Sequence, residues 1–168
     1  MKTLGKIIVG ILVCLVLALL VLRVTGLEPK DRRPGLWLKG DLVTTPVTDW
    51  SFTDKVRNVE LQTRTWYLLP HSVRINCVAY NGQLYLSTVN PPGIESPHVW
   101  NVNVARDPHV RLKIGNKLYD RTLSYVTDPA EKAAVLQARF KKYPQLSTDK
   151  NTSVAANAKA SVYHVLDN

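Results

Sequence analysis

The chain has 168 residues and a formal net charge of +9, with 22 lysines and arginines against 13 aspartates and glutamates. Residues 1–33 hold +4 of this charge, and the rest is scattered along the remaining chain, where only Lys141 and Lys142 are adjacent. We therefore expect no nucleic-acid partner, because nothing forms a basic stripe. About 135 residues follow Arg33, which is the usual size of one domain and too few for two comfortable ones.

The first predicted element is an apolar helix. The sequence IIVGILVCLVLALLVL runs from Ile7 to Leu22 without a charge, between Lys6 and Arg23. With its flanking residues it is near the lower limit for crossing a hydrocarbon core of roughly 30 Å. It predicts an uncleaved anchor over residues 1–26, with the lipid bilayer as partner. A removed signal peptide is the alternative, although no small-residue cleavage site precedes the next charges.

The side of the membrane that holds the domain depends on two patterns that disagree. More cations lie after the apolar stretch than before it, which favours a cytoplasmic domain. Lys2 and Lys6, however, form a short basic segment directly before the apolar one, as in signal anchors that export the domain behind them. We expect a single-pass inner (cell) membrane protein whose soluble domain lies on the exported, periplasmic side.

Residues 27–48 contain three prolines and two glycines and predict a linker into a domain over residues 49–168. The stretch LWLKGDLVTTPV within the linker is compatible with an edge strand. From Phe52 to Thr63, aliphatic residues alternate with charges after Thr53, a possible N-cap residue. This pattern predicts a short amphipathic helix.

Two hairpins are predicted next. SVRINCVAY and QLYLSTV are rich in β-branched and aromatic residues, and Asn81-Gly82 between them favours a type I′ turn. Cys77 in the first strand is predicted to be a buried structural cysteine; the other cysteine, Cys14, lies in the apolar helix, so no intramolecular disulfide is expected. HVRLKIG and KLYDRTLSYVT form the second hairpin around Gly115-Asn116, with alternate residues facing the core.

The segments around these hairpins are less regular. NPPGIESP is a loop, and HVWNVNVA after it is either a helical turn or extended. Asp128 as N-cap, Pro129 at the first helical position and Glu131 in the first turn predict a helix that ends before Pro144. The polar stretch over residues 145–160 is a loop, and ASVYHVL is a last strand. This order indicates a small barrel or an α+β domain.

No strong catalytic motif is present: the sequence lacks GxSxG, GxxxxGK, CxxC and HExxH. No histidine has a second ligand type at helical spacing, so we expect no metal site. Ser87 and Thr88 end a strand, and His98, Trp100 and Asn101 come after the proline-rich loop. Hydroxyls beside such donors suit a phosphate, and Trp100 suits a flat ring. The alternative makes them turn and core residues.

From Ser72 to Tyr143, about half of the chain, the order of elements and several residues resemble the FMN-binding split-barrel family. This family includes pyridoxamine phosphate oxidases, flavin reductases and deazaflavin-dependent nitroreductases, and the similarity is greatest to the last branch. The matching positions are Trp100, Asn103, Asp107-Pro108, Gly115, Asp128-Pro129, Glu131 and Tyr143-Pro144.

The resemblance implies a mainly β (α+β) fold, in which the N-terminal transmembrane helix precedes a small antiparallel split β-barrel with one or two flanking helices. It implies a homodimer with FMN or a deazaflavin as cofactor. Arg74, Ser87 and Thr88 match family positions that hold the flavin phosphate, and Trp100 would line the ring pocket. The cofactor carries the hydride chemistry, so no catalytic side chain is predicted.

Two features depart from the family. No lysine or arginine stands near His98 to Trp100, where the family has a third phosphate-binding residue. This departure leaves a deazaflavin, a haem or no cofactor at all as alternatives. Without a redox cofactor, the chain would be a membrane-tethered binding or scaffold domain. The membrane anchor is the second departure, and it implies a redox partner in the bilayer, such as a quinone.

Overall fold

The computed structural model describes residues 2–31, 33–89, 98–146 and 160–167. These residues form three α-helices, seven strands and two short 3-10 helices. In chain order the elements are α1 (Lys2–Thr25), β1 (Asp41–Leu42), a 3-10 helix (Ser51–Lys55), β2 (Asn58–Arg64), β3 (Pro70–Tyr80), β4 (Gln83–Val89), α2 (Val99–Arg106), β5 (His109–Ile114), β6 (Lys117–Tyr125), α3 (Pro129–Lys142), a 3-10 helix (Pro144–Leu146) and β7 (Ala160–Leu166).

Strands β2 to β7 form a closed antiparallel barrel. Its order is β2, β3, β4, β7, β6, β5 and back to β2, since β6 pairs with both β5 and β7. The two-residue strand β1 adds a parallel pairing at β6, with Asp41 opposite Lys117. Each barrel strand is therefore paired on both sides over at least part of its length. The predicted β-barrel fold with flanking helices is confirmed, as is an edge strand within LWLKGDLVTTPV.

The barrel interior is filled by alternate residues of each strand. On β5, Val110, Leu112 and Ile114 are buried, as their alternation predicts, and Leu112 has no exposed surface. Trp50 joins the same core, 5.2 Å from the Tyr119 ring. Cys77 is 1% exposed within this cluster, which confirms it as a buried cysteine.

Both predicted hairpins are confirmed. Tyr80 pairs with Gln83, and the two residues between them, Asn81 and Gly82, have φ angles of 50° and 74°. Two positive φ values are what a type I′ turn requires. The turn between β5 and β6 places Gly115 at φ 62°.

The helix predicted from Phe52 to Thr63 is wrong. Its first residues form a short 3-10 helix that ends at Lys55, and its second half is strand β2. Val59, Leu61 and Thr63 are buried with exposed or half-buried residues between them, which is a period of two. Pairing of β2 with β3 on one side and β5 on the other outweighs the local helical preference.

Helices α2 and α3 lie against different parts of the barrel. The segment HVWNVNVA is a helix, and its Trp100 and Val104 join the barrel core. Helix α3 places Val135 and Leu136 in a second apolar cluster with residues from β3, β4 and β7. As predicted, α3 starts with Asp128 as its N-cap residue.

Replacing Asp128 by alanine is expected to lower the free energy of unfolding by about 1 kcal/mol. Its carboxylate accepts hydrogen bonds from the main-chain N–H groups of Ala130, at 3.2 Å, and Glu131, at 3.0 Å. Denaturant unfolding of the two proteins measures the difference. An Asp128→Asn variant, which keeps an acceptor, should lose less, and an equal loss in both variants would contradict the capping role.

The segment after α1 lies on the barrel. Gly35 and Ser72 exchange main-chain hydrogen bonds of 2.8 and 3.0 Å, and Leu38 is 2% exposed. Helix α1 itself is apolar enough to cross a membrane: an 18-residue stretch within Thr3–Thr25 has a mean hydropathy of 3.2 and no buried residue. The domain boundary at residue 48 stays a prediction. The proline-rich loop and most of the polar stretch predicted before β7 lie outside the described residues.

Candidate functional site

A cavity of about 550 Å³ opens where strands β3 and β4 separate. Their antiparallel pairing runs from Tyr80 and Gln83 to Cys77 and Leu86. Toward the start of β3, Ser72 forms main-chain hydrogen bonds with Gly35, which lies between α1 and β1, and not with β4. The cavity therefore lies between the first half of β3 and the end of β4.

Five of the six predicted site residues line this cavity: Arg74, Ser87, Thr88, His98 and Trp100. They come from β3, β4 and the start of α2, so the fold brings together segments that the sequence separates. The other described lining residues are Asp31, Arg33, Pro34, His71, Val73, Ile75, Asn76, Val99 and Arg139.

Asn101, the sixth predicted residue, is buried but does not line the cavity. It lies in the first turn of α2, and its side-chain Oδ1 is buried without a hydrogen-bond partner. The structure therefore does not place Asn101 with the other five residues.

The end of strand β4 and helix α2 position the polar and aromatic walls. Ser87 pairs with Val162 of β7 and is 3% exposed, and the neighbouring Thr88 is half-buried. Trp100 is 4% exposed and packs its ring 5.3 Å from the Tyr163 ring. Trp100 is therefore both a core residue and a cavity wall.

The described cavity wall is rich in cations. Arg33, Arg74 and Arg139 line it, and Asp31 is the one carboxylate among its described lining residues. Arg74 is in part neutralised, because its guanidinium lies 3.3 Å from the Glu60 carboxylate, with 41% of the Arg74 side chain exposed. The excess of arginines over carboxylates among the described lining residues favours an anionic ligand.

Arg139 was not predicted from the sequence. It is 6% exposed, its Nε has no hydrogen-bond partner among the described residues, and burial lowers the pKa of its guanidinium. The sequence does contain an indication of its role. Arg139 comes four residues after the buried Val135 and three after Leu136, which places it on the apolar side of α3. An arginine on an apolar helix face is unusual unless it has a partner.

His71 also lines the cavity, and its Nδ1 is buried without a hydrogen-bond partner. Burial lowers the pKa of His71 below its ordinary value of 6.5, and burial does the same at His164, where Glu131 opposes it. The unfolded chain therefore binds protons more readily at both positions. We expect the free energy of unfolding to fall as the pH drops below about 6.5.

Denaturant unfolding at a series of pH values tests this expectation. In the double variant His71→Gln, His164→Gln the decrease between pH 7 and pH 5, about the range of histidine titration, should be smaller than in the original chain. If the free energy of unfolding decreases equally with pH in both proteins, His71 and His164 are not the cause of the pH dependence.

Comparison with known proteins finds likeness in structure. No family model matches the chain, and no curated protein matches it. A conserved hypothetical protein from Mycobacterium tuberculosis superposes with a TM-score of 0.57 and 18% identity, over 79% of this chain and 86% of that one. A structure described as a domain-swapped dimer superposes with a TM-score of 0.52 and 20% identity, over 66% of this chain and 80% of that one. An F420-H2 dependent reductase superposes with a TM-score of 0.50 and 20% identity, over 66% of this chain and 94% of that one.

At these identities the likeness concerns the fold. The superposition covers 80% or more of each neighbour and about two thirds or more of this chain. The chain thus has a split-barrel fold that it shares with these structures, one of which is described as an F420-H2 dependent reductase.

Proposed function

We propose that this chain is a membrane-anchored oxidoreductase that binds FMN or a deazaflavin and resembles nitroreductases or quinone reductases. The observation that carries the proposal is the cavity between β3 and β4. Arg74, Ser87, Thr88 and Trp100 all line this one cavity.

The residues present fit a flavin phosphate. A phosphate monoester needs several N–H and O–H donors and positive charge, which Arg74, Ser87 and Thr88 can supply together. His71 and Arg139 line the same cavity, and within the described part of the chain the buried Nδ1 and Nε of these side chains have no hydrogen-bond partner.

When bound, the cofactor would supply hydride transfer, and the protein would supply binding and orientation. In this role Arg74 and the hydroxyls of Ser87 and Thr88 would donate hydrogen bonds to phosphate oxygens. Trp100 forms an apolar wall that excludes water from one side of the cavity. This division of labour requires no acid or base side chain, in keeping with the lack of a catalytic motif in the sequence.

Two further aspects of the proposal come from the neighbours and from α1. The similarity to a structure described as a domain-swapped dimer supports a homodimer. Helix α1 supports a single-pass protein of the inner (cell) membrane, and the basic segment with Lys2 and Lys6 before it favours a domain on the exported side. A quinone or another redox partner in the bilayer would then be within reach of the domain.

The absorption spectrum of the purified full-length protein tests the proposal. We expect a flavin or deazaflavin band in the isolated protein, or a saturable spectral change when FMN or the deazaflavin F420 is added. A colourless protein that responds to neither cofactor would overturn it. Haem is included as a third addition, since a haem band alone would also contradict a flavin enzyme.

A second candidate is a membrane-tethered binding or scaffold domain without a redox cofactor. It is favoured by one observation: the segment from His98 to Asn101 contains no lysine or arginine. This alternative expects a colourless protein whose partner is recovered by pull-down. It also expects Arg74→Ala and Ser87→Ala variants to keep that partner.

A further inference from the structure

We propose that Arg139 of helix α3 is an anion-binding residue of the cavity, and that it supplies the positive charge that the segment before α2 lacks. Its ligand would be a phosphate monoester, such as the phosphate of FMN. The inference rests on the proposed function for the identity of the whole ligand. The anion site itself can be tested with inorganic phosphate alone.

Arg139 is a buried cation that lacks a carboxylate partner. The residue is 6% exposed, yet none of the carboxylates within residues 2–31, 33–89, 98–146 and 160–167 forms an ion pair with it. Its Nε is buried without a hydrogen-bond partner. A buried charge without a counter-ion is costly to the folded state. The cost is removed if an anion occupies the cavity that Arg139 lines.

Arg139 is also held in place by its helix. Val135 and Leu136, one turn earlier, are fixed in the apolar cluster against the barrel. One turn later, the Tyr143 hydroxyl lies 2.8 Å from the main-chain oxygen of Cys77 and 3.2 Å from its nitrogen. Helix α3 is thus attached to β3 on both sides of Arg139, which limits retreat of the guanidinium to solvent.

Other donors share the cavity with Arg139. Arg74 approaches from β3 and Ser87 and Thr88 from β4, so donors surround the space from different elements. His71 also lines the cavity, and among the described residues its buried Nδ1 has no hydrogen-bond partner. A cavity lined by two arginines besides Arg33 and by hydroxyl-bearing residues indicates a ligand with several acceptor oxygens rather than a neutral apolar one.

This assignment makes two predictions of opposite sign for Arg139→Met. Without ligand, the variant should unfold at a higher temperature than the original protein, because methionine fills similar space without a buried charge. With phosphate, the original protein should be stabilised and the variant should not. The affinity for phosphate should fall about tenfold or more, as expected for loss of a charged hydrogen-bond donor.

The experiment measures thermal unfolding of the full-length protein in detergent, in sodium phosphate and in sodium chloride of equal ionic strength. Arg139→Lys, which keeps the charge, should retain part of the phosphate effect. Lys141→Met is the matched control, since it removes an exposed cation from the same helix and should leave the phosphate effect intact. Equal phosphate stabilisation of the original protein and Arg139→Met would overturn the inference, as would equal loss in Lys141→Met.

FMN and riboflavin separate this inference from the proposed function. If both are correct, FMN binds more tightly than riboflavin, and Arg139→Met removes most of that difference. If the protein binds phosphate through Arg139 but neither flavin nor deazaflavin, the anion site stands and the proposed function fails. If FMN binds more tightly than riboflavin and Arg139→Met leaves that difference unchanged, the role of Arg139 fails and the proposed function stands.

Discussion

Replacing Leu112 by alanine is expected to lower the free energy of unfolding by about 2–5 kcal/mol. Leu112 has no exposed surface and lies in the middle of β5, opposite Leu61 of β2 and Tyr119 of β6. The truncation leaves a cavity in the core. Strand β5 cannot move easily to fill it, because β5 is hydrogen-bonded to β2 on one side and to β6 on the other. Denaturant unfolding, followed by circular dichroism, measures the loss.

Leu42→Ala is the matched control for Leu112→Ala. Leu42 lies on the short edge strand β1 and is 52% exposed, so its truncation should change the free energy of unfolding by no more than about 0.5 kcal/mol. Similar losses for the two variants would contradict the placement of the core inside a closed barrel.

Replacing Arg74 by alanine is expected to weaken binding of FMN or a deazaflavin by about ten- to a hundredfold, the range for loss of a hydrogen bond from a charged group. The change removes a guanidinium from the cavity wall. It also leaves the carboxylate of Glu60, now 3.3 Å from the Arg74 guanidinium, without this partner and therefore repulsive to a phosphate. Fluorescence titration of the full-length protein with each cofactor gives the affinities.

Lys117→Ala serves as the control for Arg74→Ala. Lys117 is an exposed cation on β6 and does not line the cavity, so its loss should leave cofactor affinity within about twofold. If Arg74→Ala binds the cofactor as tightly as Lys117→Ala, then the cofactor lies elsewhere. If neither variant nor the original chain binds it, the scaffold alternative gains support.

Local sequence patterns predict several elements of the barrel. Asn81-Gly82 determines a turn through its own φ preferences, and Asp128-Pro129 determines a helix start through hydrogen bonds within three residues. The segment from Phe52 to Thr63 shows the limit of such patterns. There, two neighbouring strands decide the structure, and they lie far away in the sequence.

The candidate site is predictable to a similar degree. Ser87 and Thr88 are recognisable as hydroxyls at a strand end, and Arg74 is identified through the resemblance to the split-barrel family. Arg139 and His71 are harder, because their importance depends on where β3 and β4 separate and on how α3 lies over that gap. This separation is a tertiary feature that periodicity along one segment does not contain.

The most direct test of the cofactor site is a nuclear magnetic resonance titration of the isotope-labelled full-length protein with FMN and with F420. If the cavity is the binding site, the amide signals that shift should be those of residues 71–76, 87–88 and 98–100, while the turn at Gly115-Asn116 stays unchanged. Saturating cofactor that shifts none of these signals, or shifts that centre on the β5–β6 turn, would contradict binding in this cavity.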